Sequence, residues 1–477
     1  MAEPIVTVAE MRARENRTWA VGVAPEAVIH RAGKAVGEVA RRWTRPGDPV
    51  LVLAGRGHNG DDAMVASGLL DDRERMALRL PDPRALELAH AWLRAHRADP
   101  RALVVDGLFG IGLNRPLEGD WAALVAAVNG AQVRVLAVDV PSGLDADTGR
   151  VFGVAIEAAV TVTLGSVKVG LLVEEAARYV GRLELAPEIG LVPIETDVEL
   201  QWTLSSDFVP LLRRRPVTAH KGTFGHVAIL AGSLGFHGAA VLAAQGAQRA
   251  RPGLVTVFTD ERCLVPVASQ LRAAMVRPWK GERLGDTTFT AIVAGPGLAS
   301  CGLSPAIRAE VERLWREAPC PMVVDASALD WLASGGECAG GRVITPHPGE
   351  AGRMLGASAA AVQADRLSAV RRLAGRWPLV DPVVVLKGRH SLVGRRRGPC
   401  FVNSSGNPGL AQGGSGDVLA GLLGGLLAQP ALQEEAMLAV RYGVWRHGAA
   451  ADALEEAGGA WTTEDLVPAL GRRVVED

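Results

Sequence analysis

Five consecutive residues, Gly413-Gly414-Ser415-Gly416-Asp417, run straight into the apolar stretch VLAGLLGGLLAQ. Their types and order suit the transfer of a charged group. Glycines just ahead of a helix let backbone N–H groups turn toward an anion, and the helix N-terminus adds partial positive charge at the same point. A carboxylate does not belong in a purely anion-binding loop, because it repels phosphate. Asp417 makes sense there if it takes the proton from a hydroxyl that then attacks phosphorus. The plainer alternative is a glycine-rich loop ahead of a core helix. A second glycine turn, Gly406-Asn407-Pro408-Gly409, precedes the first and favours the phosphate reading. In the first half of the chain, Asp106, Asp139 and Lys168 each fall at or just after the end of an apolar, β-branched run, where groups of this kind converge on a ligand.

The elements that must hold these residues alternate along the chain. Glu10 to Ala40 reads as helical, with a break at Gly22 to Pro25. Strand candidates follow at Asp48–Gly55, Met76–Pro81, Ala102–Gly112, Val133–Gly143 and Ala159–Gly165, separated by helical stretches. The first strand leads into the turn Gly55-Arg56-Gly57-His58-Asn59-Gly60-Asp61-Asp62 and then a helix, a unit in which phosphates and polar ligands collect. Periodicity lapses between Glu188 and Gln201, and a second series begins. Its strand candidates are His226–Ser233, Leu254–Asp260, Phe289–Gly297, Pro321–Ser327, Arg342–Glu350 and Val383–Gly388. The pattern predicts an α/β protein of two doubly wound domains, residues 1–198 and 203–477, each with a parallel sheet and a site at the carboxyl ends of its strands.

Composition narrows the function class. A chain of 477 residues exceeds one ordinary core, and 48% hydrophobic with 22% charged residues describes a globular protein. The formal net charge of −1 offers no basic excess for a nucleic acid. No stretch resembles a secretory signal or a bilayer span. Five cysteines without CxxC or zinc spacing read as reduced thiols, so a cytoplasmic location is expected, and a homo-oligomer with it.

Several of these segments, in order, match one family. KGTFGHVAILAGS (Lys221 to Ser233), AGPG (Ala294 to Gly297), TPHPGE (Thr345 to Glu350), LKG (Leu386 to Gly388) and NSSGNPGLAQGGSGDVLAG from Asn403 resemble the dehydratase motifs of the bifunctional NAD(P)H-hydrate repair enzymes. In that family a Rossmann-like epimerase domain is fused to a ribokinase-like dehydratase domain. The first half resembles the epimerase domain with departures. Where the family has GxGNNGGDG, this chain has His58 for an Asn, Asp61 for a Gly and Ala63 for a Gly, and Ile111 stands where a Thr is usual. Asp139-Val140-Pro141-Ser142-Gly143-Leu144-Asp145 matches without change.

The resemblance implies two activities on reduced nicotinamide cofactors hydrated at C6 of the ring (NADHX and NADPHX). One interconverts the R and S epimers; the other phosphorylates the C6 hydroxyl of the S form from a nucleotide, ADP or ATP with magnesium, and eliminates phosphate. Asp417 would be the base. Lys387, Gly388, Arg389, His390 and Ser391 would line the nucleotide pocket with Gly413, Gly414, Ser415 and Gly416. Ala239, Gly297 and His347 would contact the hydrated ring together with Asp417. In the first half, His58, Asn59, Gly60, Asp61, Asp62 and Asp139 would bind substrate. So would the run Gly110, Ile111, Gly112, Leu113, Asn114, Arg115 and Pro116. Asn59, Asp106 and Ser142 would hold potassium, and Asp106 or Lys168 would take part in proton transfer. The alternatives are another ribokinase-like vitamin kinase, or a dehydratase whose first domain is catalytically silent.

Overall fold

The computed structural model describes residues 2–194, 198–211, 214–281, 283–284, 288–332, 340–377 and 380–472. The chain separates into two compact units, Glu3–Val198 and Met1–Ala2 with Glu199–Asp477.

The first unit carries a parallel sheet of β1 (Pro49–Ala54), β2 (Glu74–Arg79), β3 (Leu103–Gly107), β4 (Arg134–Val138), β5 (Val160–Leu164) and β6 (Arg182–Ala186). Every residue of β1, β3 and β5 is buried, which is why these strands read as mostly apolar, β-branched runs. The order across the sheet is β2-β1-β3-β4-β5-β6. The chain therefore leaves β1 toward one edge and continues from β3 toward the other. The loops after β1 and β3 part at that reversal and leave a crevice at the carboxyl ends. Two helices precede the sheet. α1 (Val8–Ala20) opens with a capping box between Thr7 and Glu10, and α2 (Pro25–Trp43) begins on a proline. α3 (His58–Gly68) follows the β1 turn. Gly33 lets α2 lie directly on α3: a Cβ there would meet the Asp62 carbonyl oxygen at 2.5 Å. That contact fixes the segment carrying Asp62.

The second unit is built on β7 (Leu200–Trp202), β8 (His226–Leu230), β9 (Leu254–Thr259), β10 (Met275–Pro278), β11 (Ala291–Ala294), β12 (Met322–Val324), β13 (Arg342–Ile344), β14 (Val383–Leu386), β15 (Leu392–Gly394) and β16 (Cys400–Val402). They run in the order β7-β16-β15-β14-β13-β12-β11-β8-β9-β10. Strands β8 to β14 are parallel, but β15 is antiparallel to both β14 and β16, so this sheet is mixed rather than wholly parallel. β7, ahead of residue 203, pairs with β16 and belongs to this unit. The reversal here lies between β8 and β11. α6 (His237–Arg249) packs on α10 (Ser415–Leu427) through buried Ala243, Ala247, Leu419 and Leu423, and α11 (Ala436–Glu456) lies alongside α10. Further helices, numbered with the same count, are α4 (Pro83–Ala95), α5 (Gly119–Gly130), α7 (Pro305–Glu317), α8 (Pro348–Leu355) and α9 (Arg366–Ala374).

Cys263, Cys301, Cys320 and Cys400 are free thiols; Cys338 lies outside the described residues. Among the described residues no helix is long and apolar enough to cross a membrane.

Candidate active sites

At the crevice of the first unit lies a cavity of about 580 Å³. Its wall is formed by α1 and α2, the turn after β1, the loop after β3, and the side chains of Asp62 and Asp139. Asp106, the last side chain of β3 before its glycine, is fully buried. Its Oδ2 accepts from the Ser142 N–H at 2.9 Å and its Oδ1 from the Ser142 hydroxyl at 2.6 Å, while the Leu108 N–H approaches Oδ1 at 3.2 Å. The same hydroxyl accepts from the Phe109 N–H at 2.9 Å. Burial pushes the Asp106 carboxyl up to about 6 despite these bonds. Asn59 packs against Gly110, and its side-chain nitrogen is buried without a hydrogen-bond partner.

Asp139 follows β4 in the left-handed backbone region, φ +64°, which costs a non-glycine residue on the order of 1 kcal/mol and marks a constrained site. Its Oδ1 accepts from the buried Lys168 ammonium, the Leu164 N–H (3.0 Å) and the Thr163 hydroxyl (3.3 Å). Lys168 also donates to the Leu164 carbonyl at 2.9 Å. Asp62, in the first two turns of α3, has one carboxylate oxygen buried without a partner. Burial pushes its carboxyl up to about 8; Asp139, Asp61 and Glu15 push the same way and Lys168 opposes them. Glu15 on α1 is raised as well, first by burial and then by Asp139. No motif pointed to Glu15; it reaches the cavity because α1 packs across the crevice.

Of the other expected residues, His58, Gly110, Ile111, Gly112, Leu113, Asn114 and Arg115 line the cavity. Gly60, Asp61 and Pro116 do not. Gly60 packs its backbone on Gly55, where a Cβ would meet a carbonyl oxygen at 2.1 Å. Asp61 pairs with Arg79 at 2.9 Å, so the Asp61-Asp62 sequence does not present two carboxylates to one ligand.

In the second unit the carboxyl ends of β12, β13 and β14 and the start of α10 bring four charged groups together. Lys387, after β14, donates to Asp325 Oδ1 at 2.7 Å and stands 3.9 Å from Glu350. The Thr345 hydroxyl donates to the same Asp325 oxygen at 2.7 Å. A Cβ on Gly416 would lie 3.3 Å from the Lys387 ammonium and 3.7 Å from Asp325 Oδ2, so the first turn of α10 faces this pair. Gly414 caps α10 at φ +90°, a backbone state that needs glycine. Burial pushes the Asp417 carboxyl up to about 7, reinforced by Asp325 and Glu350 and opposed by Lys387. For Lys387 burial acts downward, but Asp325, Glu350 and Asp417 together hold its ammonium above the ordinary value. The buried His447 ring sits 3.0 Å from the Ser415 carbonyl, and burial pushes it down to about 4, so it supports α10 in its neutral form.

Arg366 on α9 clamps the 386–390 turn through the carbonyls of Leu386 (3.1 Å) and His390 (3.3 Å). Ser391 donates to the Gly388 carbonyl at 3.2 Å. The His390 ring bonds the Asn403 carbonyl at 3.2 Å and packs on Trp202; burial pushes it down to about 3. Gly297 and Ala239 are neighbours: a Cβ on Gly297 would lie 2.9 Å from that of Ala239, and the Ser233 hydroxyl donates to the Gly297 carbonyl at 2.6 Å. His347 is the N-cap of α8. Its Nδ1 accepts from the Gly349 N–H at 3.0 Å, its backbone N–H donates to Glu350 at 2.8 Å, and its half-exposed Nε2 stands 3.5 Å from the other Glu350 oxygen.

The 406–409 turn departs from expectation. Its Gly406 N–H donates to Asp452 and its Gly409 N–H to Asn407, at 2.8 and 2.9 Å, so these amides brace the loop instead of cradling an anion. Asp325 ends a strand as Asp106 and Asp139 do, and Glu350 closes the TPHPGE segment; the part each takes in this cluster comes from tertiary partners that the sequence pattern does not show. A further cavity of about 530 Å³, lined by Gln248, Arg272 and Met275 among others, lies at the amino ends of β9 and β10, away from this cluster.

Residues 227–471 match the family model described as NAD(P)H-hydrate dehydratase, and residues 82–170 match the model described as YjeF-related protein N-terminus. The chain is 34% identical to the bifunctional NAD(P)H-hydrate repair enzyme of Coxiella burnetii over 97% of each protein. It is 37% identical to that of Gloeobacter violaceus, covering 94% of this chain and 93% of the relative. Among solved structures, the ADP/ATP-dependent NAD(P)H-hydrate dehydratase of Bacillus subtilis co-crystallised with ATP and magnesium is 31% identical. That match covers 54% of this chain and 92% of the other, with a TM-score of 0.49.

Proposed function

The chain belongs to the family of bifunctional NAD(P)H-hydrate repair enzymes, and we propose that its two units divide the repair between the two sites described above. The protein epimerises hydrated NAD(P)H and dehydrates it back to the reduced cofactor. The first unit would act as the epimerase, in the cavity closed by Asp62, Asp139 and the 108–115 loop. The second would act as the dehydratase. The observation that carries this reading is the cluster of Asp325, Glu350, Lys387 and Asp417 at the glycine-led start of α10. Asp417 sits above the ordinary carboxylate range and can accept a proton near neutral pH.

In the dehydratase site Asp417 would take the proton from the C6 hydroxyl as its oxygen attacks the terminal phosphorus of the nucleotide, ADP in the favoured reading. The amides of Gly413 to Gly416 and the Lys387 ammonium would hold the phosphoryl group as charge develops on it. The ring-nitrogen lone pair then expels phosphate, and loss of a C5 proton restores the double bond. Magnesium would arrive on the nucleotide phosphates and neutralise part of their charge. Gly297, Ala239 and His347 would face the ring.

In the first unit, Asp106, Ser142 and Asn59 offer a carboxylate, a hydroxyl and an amide. This oxygen-donor set suits a hard monovalent cation, potassium in this reading, and the raised carboxyl gains from one. Such an ion would lower the cost of a charged Asp106. The free thiols suit a reducing compartment such as the cytoplasm.

The test is regeneration of NADH from a mixture of both hydrate epimers, with magnesium and potassium present and ADP or ATP supplied in turn. Complete conversion supports both sites, and the faster nucleotide identifies the donor. Conversion that halts when the S form is exhausted leaves a dehydratase beside an inactive epimerase. No conversion with either nucleotide refutes the proposal.

A further inference from the structure

Of the carboxyl groups lining the first unit's cavity, Asp62 and Asp139 stand in opposite settings, and this juxtaposition bears on how the C6 centre is inverted. Asp139 is held beside the buried Lys168 ammonium. The bonds from Lys168, Leu164 and Thr163 all converge on its Oδ1. Asp62 lines the same cavity with one buried oxygen that has no hydrogen-bond partner among the described residues. We propose that Asp62 is a catalytic acid that protonates the C6 hydroxyl of hydrated NAD(P)H, so that epimerisation proceeds by cleavage and re-formation of the C6–O bond, with Asp139 serving the opposite face. The inference rests on the epimerase reading of this unit.

The step balances without any outside oxidant or reductant. The Asp62 proton passes to the C6 hydroxyl, the C6–O bond breaks with its electron pair, and water leaves. The ring-nitrogen lone pair forms the N1=C6 bond of an iminium ion. A solvent water then adds to the other face of C6, giving its proton to Asp139, and the N1=C6 π pair returns to nitrogen. Proton exchange with solvent resets the two carboxyls. Asp139, Asp61 and Glu15 act on Asp62 to favour its protonated form and Lys168 opposes them, while Arg12, Arg56, His58 and Arg115 line the same cavity. A carboxyl with a partnerless oxygen and a second one paired to an ammonium, lining one cavity, can divide the acid and base roles between opposite faces of one carbon. The competing route, opening the ring at the N1–C6 bond to an aldehyde, does not break the C6–O bond, and label enters there only in so far as the aldehyde hydrates before the ring recloses.

The test uses the full chain, without nucleotide, and one purified epimer of hydrated NADH in water enriched in oxygen-18. Epimer ratio is followed by chromatography and oxygen content by mass spectrometry, with spontaneous exchange subtracted. At least one oxygen-18 should enter C6 for each inversion. In Asp62→Asn, kcat for inversion should fall by about a hundredfold or more, the range of general acid catalysis, with KM little changed. A KM close to that of the unaltered chain shows that the first unit of the variant is folded, and dehydration of the S form shows the same for the second. Inversion without label, or an Asp62→Asn variant in which only KM rises, overturns the inference and leaves the epimerase reading standing. No inversion at all by the unaltered chain strikes the epimerase reading itself.

Discussion

If Asp417 is the dehydratase base, the reaction must follow its ionisation, and its neighbours set the pH at which that happens. With the carboxyl at about 7, roughly one site in eleven is ionised at pH 6 and roughly ten in eleven at pH 8. The kcat/KM for hydrated NADH at saturating nucleotide should therefore rise close to tenfold across that interval and level off above it. Two substitutions should move the midpoint in opposite directions. Asp325→Asn removes the negative charge that, after burial, raises Asp417 most, so the midpoint should fall. Lys387 retains Glu350 at 3.9 Å in that variant. Lys387→Met removes the cation that opposes the shift, so the midpoint should rise and the rate at pH 7 should drop further than loss of a phosphate contact alone explains. A displacement of one pH unit corresponds to about 1.4 kcal/mol of differential interaction. The assay is stopped-flow appearance of the reduced-nicotinamide absorbance between pH 5.5 and 8.5. A flat profile, or midpoints that move the same way in both variants, refutes the assignment of Asp417 as the base.

Asp106→Ala should abolish epimerisation and the potassium dependence of the first unit while dehydration of the S epimer proceeds unchanged; a parallel loss of both activities in separate assays would contradict the division into two sites. His347→Asn keeps an N-cap acceptor for α8, so the melting temperature should hold, whereas His347→Ala should lose about 1 kcal/mol of stability. In both variants KM for hydrated NADH should rise, and an unchanged KM would confine His347 to capping. Asp62 carries its proton in the folded protein up to about pH 8, but an unfolded chain releases it near 4. The native state thus binds more protons within that window, and its stability falls as pH rises through it. Asp62→Asn should raise the melting temperature relative to the unaltered chain at pH 8 and hardly at all at pH 4; an equal gain at both pH values would show that the carboxyl is not strained by burial.

What the sequence revealed, and what it hid, follow from the range of the interactions involved. The long buried strands of the first unit were legible because each is an apolar run closed by a turn residue, and Asp106 and Asp139 were legible as the polar ends of such runs. β15 and β16 escaped because three residues are too few to establish a period, and their antiparallel return folds back the strand that carries Lys387. The site residues divide in the same way. Asp417 announced itself through its own neighbours in sequence, since the glycines that shape its loop are adjacent to it. Asp325 acquires meaning only from Lys387, some sixty residues away, and Glu15 only from a helix laid across a crevice formed by later strands. The Gly406-Asn407-Pro408-Gly409 turn failed in the opposite sense, because its local pattern suits an anion but the Asp452 carboxylate, brought in by α11, already occupies the Gly406 amide. A glycine turn shows that backbone N–H groups can be presented, and only the tertiary partners decide to what. The same reasoning explains why the altered turn of the first unit can still bound a ligand cavity. Asp61, which replaces a family glycine, finds Arg79 on the neighbouring edge strand, and that ion pair takes up the charge the sequence alone appeared to aim at the ligand.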